Sequence, residues 1–370
     1  MIPCRKGFIL VRGAGDIATG VILRLVHAGF RVAALETEKP TAIRRTVALS
    51  EAVYDGEAQV ENIRARRIAS PDELLGLLGF LELPGLPGLP SAFVPILVDP
   101  DATSLEVLRP EVLVDAILAK RNTGTSIGMA PLTIALGPGF EAAVDVHFVV
   151  ETNRGHTLGR VIASGSAEPD TGIPGEIGGF ARERVLKSPI AGIVEPLCAI
   201  GDKLRSGDPL LAIHAASGDR ERIVLVSPFD GIVRGLLRSG FEVTQGFKIA
   251  DVDPRCRPEH CRTVSDKALA IAGGVLEAVM AAGLRPPIWS KAGDMWPQAG
   301  SVNPHAPAIV IHYSDSEEKP SDAKTPEDRR DELRTLRDAC PFGARRSGGS
   351  EEGRCRPAAA FRHGRGRTPG

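Results

Sequence analysis

Between Asp145 and His156 the chain gathers two imidazoles, two carboxylates, a guanidinium and an amide in the run DVHFVVETNRGH. Period-two alternation places Asp145, His147 and Glu151 on one strand face and turns Val144, Val146, Phe148 and Val150 to the core. Asn153, Arg154 and His156 follow at a glycine turn. His147, Glu151 and His156 have the chemistry of proton transfer, and Asn153 and Arg154 that of holding an anion or oxyanion. The spacing matches no zinc pattern, so no metal site is expected. A solvated polar strand face is the plainer alternative.

A second candidate is the turn Gly13-Ala14-Gly15-Asp16-Ile17-Ala18, which fits G-x-G-x-x-A between the apolar run 8–12 and a helix over 17–29. Gly13 permits the tight turn, Gly15 lets backbone N–H groups reach a diphosphate, and Ala18 allows close helix packing. Glu36, at the end of the next strand, stands where an acid bonds a ribose hydroxyl. Asp16 is out of character, because a carboxylate repels a diphosphate. Lys120, Arg121 and Asn122 follow a strand at 112–118, at its carboxyl end, where they suit a phosphate or carboxylate. Cys261, beside His260 and Arg262 in the loop Cys256–Cys261, is a candidate thiolate; an ordinary surface cysteine is the alternative.

These residues need a scaffold. Strand, helix and strand at 8–12, 17–29 and 31–35 open a βαβ unit. Ser70-Pro71-Asp72-Glu73 is a helix start, further strands are expected at 94–98 and 112–118, and 81–93 (LELPGLPGLPSAF) has the composition of a surface insertion. Residues 264–283 predict one helix interrupted at Gly273-Gly274, or two. Residues 188–213 recur at 227–252 with a constant offset and no gap, keeping Ser-Pro, Gly-Ile-Val, one Leu and two Gly. Two short β-rich copies resemble the biotinyl/lipoyl barrel-sandwich hybrid. The expected fold is therefore α/β: a Rossmann-like parallel-sheet domain, followed by a β-rich module of that type and a disordered tail. The boundaries are 1–130 for the nucleotide- or cofactor-binding domain, 131–183 for a middle section with the polar cluster, 184–255 for the repeat module, 256–285 for a helical closing segment, and 286–370 for the tail.

The stretch between the copies, His214–Val226, has no lysine, so covalent biotin or lipoate at the usual place is not expected. A formal net charge of −1 argues against nucleic acid or membrane surface as partner. No apolar run reaches membrane-spanning length and no leader is evident, so the expected location is cytoplasmic. Six scattered cysteines make no disulfide framework.

Long segments of residues 7–284 resemble the YqeB-like family. They include VRGAGDIATGVILRL, DAILAKRNTGT and, most specifically, VETNRGH with the later TGIPG. Members of that family are named as accessory proteins of selenium-dependent molybdenum hydroxylases. The resemblance implies a maturation factor for an enzyme such as xanthine dehydrogenase, with that hydroxylase as partner. The expected ligand is small and anionic, either a dinucleotide or a molybdopterin-type cofactor, and the motifs above place it at Gly13, Gly15, Asp16, Glu36, Lys120, Arg121, Asn122, Asn153 and Arg154. In that setting Cys261 becomes a candidate sulfur or selenium carrier. The alternatives are an NAD(P)-dependent oxidoreductase using the same turn with His147 or His156 as proton donor, or a docking module without chemistry. Whether the chain is an enzyme stays open.

Overall fold

A computed structural model describes residues 5–78, 93–172, 175–215 and 222–286. The expected insertion up to residue 92, residues 216–221 between the repeats and the tail from 287 lie outside them.

The run at 8–12 grows into β1 (Arg5–Arg12), whose last six residues are buried. It is followed by α1 (Asp16–His27), β2 (Arg31–Glu36), α2 (Ala52–Asp55), β3 (Glu57–Val60), β4 (Ile63–Ile68), α3 (Pro71–Leu78), β5 (Phe93–Val98), α4 (Leu105–Leu108), β6 (Pro110–Asp115), β7 (Leu132–Leu136), β8 (Glu141–Ala142), β9 (Phe148–Val150), β10 (Val161–Ile162) and β11 (Gly165–Ser166). Nine of these strands form one sheet in the order β10-β9-β7-β6-β1-β2-β5-β4-β3. Continuous apolar strands suit its centre, which is covered on both faces. Ile9 and Val11 face one core with α1, while Phe8 and Leu10 face the other with Leu74 of α3.

A final helix, α5 (Asp266–Ala281), packs on α1. It runs unbroken through Gly273-Gly274. A Cβ on Gly274 would lie 2.1 Å from the Gly159 carbonyl oxygen, and one on Gly20 would lie 2.8 Å from the Ala268 Cβ. The glycines are there for close approach rather than for a break.

Residues 185–253 supply β12 (Val185–Lys187), β13 (Gly192–Pro196), β14 (Lys203–Leu204), β15 (Pro209–Ala215), β16 (Arg222–Val226), β17 (Gly231–Leu236), β18 (Glu242–Val243) and β19 (Lys248–Asp253). They make two four-stranded antiparallel sheets, β12-β19-β17-β14 and β16-β15-β13-β18. Val194, Ile213, Val233 and Ile249 fill the core between them, together with Ile43 from the front of the chain. Ile43 also accepts a backbone bond from Leu236 N at 2.7 Å. Arg238 binds Asp55 and Glu51 at 2.7 and 2.6 Å. The repeat region is thus fixed to the segment 43–55.

The expected fold class is corrected. The large sheet is mixed, not parallel: β3–β4 and β9–β10 are antiparallel at its two edges. Strands of the middle section, β7, β9 and β10, belong to that same sheet. The described residues of the repeat region give no evidence for a biotinyl/lipoyl barrel-sandwich hybrid. Apolar periodicity marks strands, but pairing between distant strands decides how they close, and that information is not local.

Candidate functional site

The first turn of the site is built by carboxylates. Gly13 has φ +95°, and a Cβ there would lie 3.0 Å from the Ala116 carbonyl oxygen, so the turn needs glycine. Gly15 is the N-cap of α1 and would meet nothing with a Cβ. The Ala14 N–H donates to Glu36 Oε1 at 2.9 Å, and the Ile17 N–H donates to Asp16 Oδ1 at 2.7 Å. Burial raises the pKa of Glu36, against the pull of the Ala14 and Thr37 N–H groups. Glu36 is therefore a clasp on the glycine turn, not a ribose ligand. Two N–H groups of the turn are thus already taken by carboxylates.

The next loop is held from beneath. Arg12 lies 3.6 Å from Asp115, and Thr125 donates to Asp115 at 2.6 Å while accepting from Arg12 at 2.5 Å, all three buried. Asn122 accepts from the N–H groups of Gly124 and Thr125 and donates to the Thr125 carbonyl, so it shapes the loop rather than meeting a ligand. Arg121 is exposed. Lys120 reaches Asp170 at 2.5 Å, and this bond holds the Asp170 carboxyl below its ordinary range.

The expected cluster at 145–156 does not assemble. Only Phe148–Val150 form a strand. His147 sits at its start, where Nδ1 accepts from the Thr133 N–H at 3.0 Å and meets Thr133 Oγ1 at 2.8 Å. It lines a separate, mostly apolar hollow with Leu132, Phe148 and Leu284. Glu151 lies past the other strand end, buried, accepting three backbone N–H bonds from Thr152, Asn153 and Glu168 at 2.6–2.8 Å. A buried carboxylate with three of its acceptor sites committed to backbone N–H groups folds the turn. His156 is exposed. Cys261 is 1% exposed, its Sγ donates to the Val233 carbonyl at 3.6 Å, and burial pushes its pKa up. A buried, protonated thiol is the opposite of the reactive thiolate expected there.

Four expected residues do converge. Asp16, Lys120, Asn153 and Arg154 line a cleft of about 960 Å³. They follow the carboxyl ends of β1, β6 and β9, which run parallel in the sheet order β9-β7-β6-β1, where an α/β sheet offers its binding crevice. Arg154 forms a bidentate pair with Asp266 at 2.8 and 3.1 Å, tying the turn to the start of α5 and holding Asp266 at about 2. Asn153 donates to Glu168 at 2.5 Å.

The opposite wall comes from the repeat region and was missed. Arg184, Lys187, Arg234, Lys248 and Asp251 line the cleft, with Arg44 from the front and Lys267 from α5. Arg184 and Arg234 share Asp251 at 3.2 and 3.6 Å. Arg44 sits 3.3 Å from Asp16 and donates to the carbonyls of His260 and Thr263. Nine lysines and arginines face four carboxylates around the cleft. Lys248 keeps solvent access, yet the surrounding walls desolvate it and lower its pKa; desolvation does the same to Lys267, aided by Arg154. One signal was available. At the repeat offset, Arg234 and Asp251 of the second copy answer to Glu195 and Ala212 of the first, so charge at the cleft is peculiar to one copy.

Among the described residues no His, Cys, Asp and Glu group is placed to hold a metal ion, and no helix is long and apolar enough to cross a membrane.

No family model matches the chain. Among solved structures it is similar to an aspartoacylase family protein of Mesorhizobium loti, with 13% identity, a TM-score of 0.22, and coverage of 67% of this chain and 85% of that one. It is also similar to a succinylglutamate desuccinylase/aspartoacylase of Rhodobacter sphaeroides, with 16% identity, a TM-score of 0.21, and coverage of 67% and 86%. At such TM-scores neither likeness carries an argument about this chain. Among curated proteins it is similar to the uncharacterized protein YqeB of Escherichia coli strain K12, 49% identical over 278 residues, which are 75% of this chain and 48% of that protein. The chain spans about half the length of that relative. This similarity supports a YqeB-like family for the chain.

Proposed function

We propose that the chain is an accessory factor for a molybdenum hydroxylase of the xanthine dehydrogenase type, and that its cleft holds a phosphate-bearing small molecule, a nucleotide or a molybdopterin-type cofactor. The observation that supports this reading best is the charge of the cleft, nine cations against four carboxylates in a crevice at the carboxyl end of the sheet. A molybdopterin-type ligand suits these residues. Its phosphate has lysines and arginines to meet, and its N–H-rich ring has acceptors in Asp16, Glu168 and Asp170. Bound there it would be cargo to be passed on, and the chain's own groups would orient it and shield it from water. The hydroxylase role and any use of selenium rest on the resemblance to the YqeB-like family. A direct selenium relay through Cys261 is dropped, because the thiol is buried.

The test is native purification of the full chain from cells making an active hydroxylase, followed by mass spectrometry for a pterin, a dinucleotide, molybdenum and selenium. Hydroxylase activity is then compared in cells lacking the chain or carrying Arg154→Ala. The expected result is a retained phosphate-bearing ligand and at least a tenfold fall in hydroxylase activity without the chain. Full activity in its absence sinks the reading.

A further inference from the structure

Lys187 and Lys248 are partners in register across the antiparallel pair β12–β19, and both side chains line the cleft. Like charges set opposite one another on a sheet repel. The neighbouring Arg184 and Arg234 are answered by Asp251. Among the described residues no carboxylate lies within ion-pair distance of Lys187, Lys248 or Lys267, although Lys267 lines the same cleft from the second position of α5. The fold thus places three lysines around one space with no carboxylate in ion-pair contact with any of them. Desolvation lowers the pKa of Lys248 and Lys267, and the more distant charges of Asp16, Asp251 and Asp170 only partly offset it.

Asp16, Glu168 and Asp170 line the same cleft; Arg44 answers Asp16 at 3.3 Å and Lys120 answers Asp170 at 2.5 Å, and the carboxylates remain acceptors for N–H donors. A ligand with its anion among the lysines must direct neutral, donor-bearing groups toward these carboxylates. Asp16 acts on both Lys248 and Lys267, so phosphates beyond the first would meet that carboxylate.

We propose that Lys187, Lys248 and Lys267 form a subsite for one phosphate dianion, so that the cleft takes a phosphomonoester with an N–H-rich head group and rejects di- and triphosphates. This rests on the reading of the cleft as a phosphate-ligand site and narrows it to one ligand class and one orientation.

The experiment titrates the full-length chain, freed of bound small molecules, with GMP, guanosine and GTP by calorimetry. GMP is expected to bind at least tenfold more tightly than either guanosine or GTP. Lys187→Gln and Lys248→Gln each weaken GMP at least fivefold and leave guanosine unchanged. Both variants unfold at the parent's temperature or higher, since a repulsive pair is relieved. Lys248→Arg restores GMP affinity to within threefold, which separates a charge effect from a folding defect. Unchanged GMP binding in both glutamine variants overturns the subsite, as does tighter binding of GTP than GMP, or no preference for the phosphate at all. If both variants still retain the parent's native ligand at full level, only the subsite fails. If the hydroxylase proves independent of the chain while GMP behaves as stated, the accessory role fails and the subsite stands.

Discussion

Glu36 Oε1 accepts a 2.9 Å hydrogen bond from the Ala14 N–H, so the acid at the end of β2 closes onto the glycine turn after β1. In a dinucleotide site these two elements act on the ligand separately, the turn on the diphosphate and the acid on the ribose. Here they act on each other. The second carboxylate oxygen is engaged as well, by the Thr37 N–H at 2.7 Å.

It follows that NADH and NADPH bind no more tightly than the millimolar range, read by nicotinamide fluorescence. Glu36→Ala leaves the buried Ala14 N–H without its acceptor and lowers stability by roughly 1–3 kcal/mol, without creating dinucleotide affinity, because Asp16 remains in the turn. Micromolar NADH binding by the parent would show that the clasp opens, and would return the oxidoreductase alternative.

Adjacent glycines in α5 have opposite consequences. A Cβ on Gly273 meets nothing within 4 Å, whereas one on Gly274 would lie 2.1 Å from the Gly159 carbonyl oxygen and 2.8 Å from Val150. Gly273→Ala is expected to stabilise by about 0.5–1 kcal/mol through helix propensity. Gly274→Ala forces α5 away from the 159 turn and destabilises by about 1–3 kcal/mol. Urea unfolding of both variants decides it; equal effects of one sign would refute the close approach.

How much of this was legible follows from which signals are local. The strand–turn–helix at 8–29 is carried by a continuous apolar run, a glycine turn and an amphipathic stretch, and it formed within a few residues of the expected limits. Ser70 capping α3 is equally local: its hydroxyl accepts from the Glu73 N–H at 3.2 Å. His147 and Glu151 were read together because alternation puts them on one face. A strand of three residues leaves them at opposite ends, one held by Thr133 and the other by backbone N–H groups. The basic wall was invisible for a different reason. Lys187 and Lys248 are 61 positions apart, and only the β12–β19 pairing brings them opposite each other. Asp16 looked wrong for a diphosphate turn, and that local misfit was the truest clue to the cleft, where Asp16 lies among the cations and pairs with Arg44.

Cys261 offers a sharp test of burial against sequence context. Its basic neighbours suggested a thiolate, but desolvation dominates, and the Arg234 and Arg44 charges only partly offset it. The thiol should resist iodoacetamide at neutral pH in the folded chain and react only on unfolding. Cys261→Ser should keep hydroxylase maturation within about threefold, a difference worth less than 1 kcal/mol. Its stability should fall by about 1 kcal/mol, since a hydroxyl replaces sulfur in an apolar contact. Rapid labelling of Cys261 in the native protein, with loss of maturation in the serine variant, would restore a carrier role.

Asp253 sets the acid limit of the fold. Its carboxylate is fully covered, and burial alone would raise its pKa. Arg255, through its N–H and guanidinium at 2.6–3.0 Å, overrides burial with help from Arg234, and the group is held at about 2 against an ordinary 3.8. Because the folded pKa is the lower one, the stabilisation is present in full above the unfolded value. It drains as pH falls from about 4 toward 2. Discounted for the solvent-facing side of Arg255, the contribution at neutral pH is roughly 1–2 kcal/mol. Asp253→Asn should therefore be less stable than the parent by about that amount at pH 7 and pH 5 and nearly equal to it near pH 2, read from urea midpoints at each pH. A difference that stays constant across the series would mean that Asp253 acts by shape and not by charge. In that case Arg234, which leans on Asp253 at 3.8 Å and on Asp251 at 3.6 Å, would keep its place in the cleft wall without it.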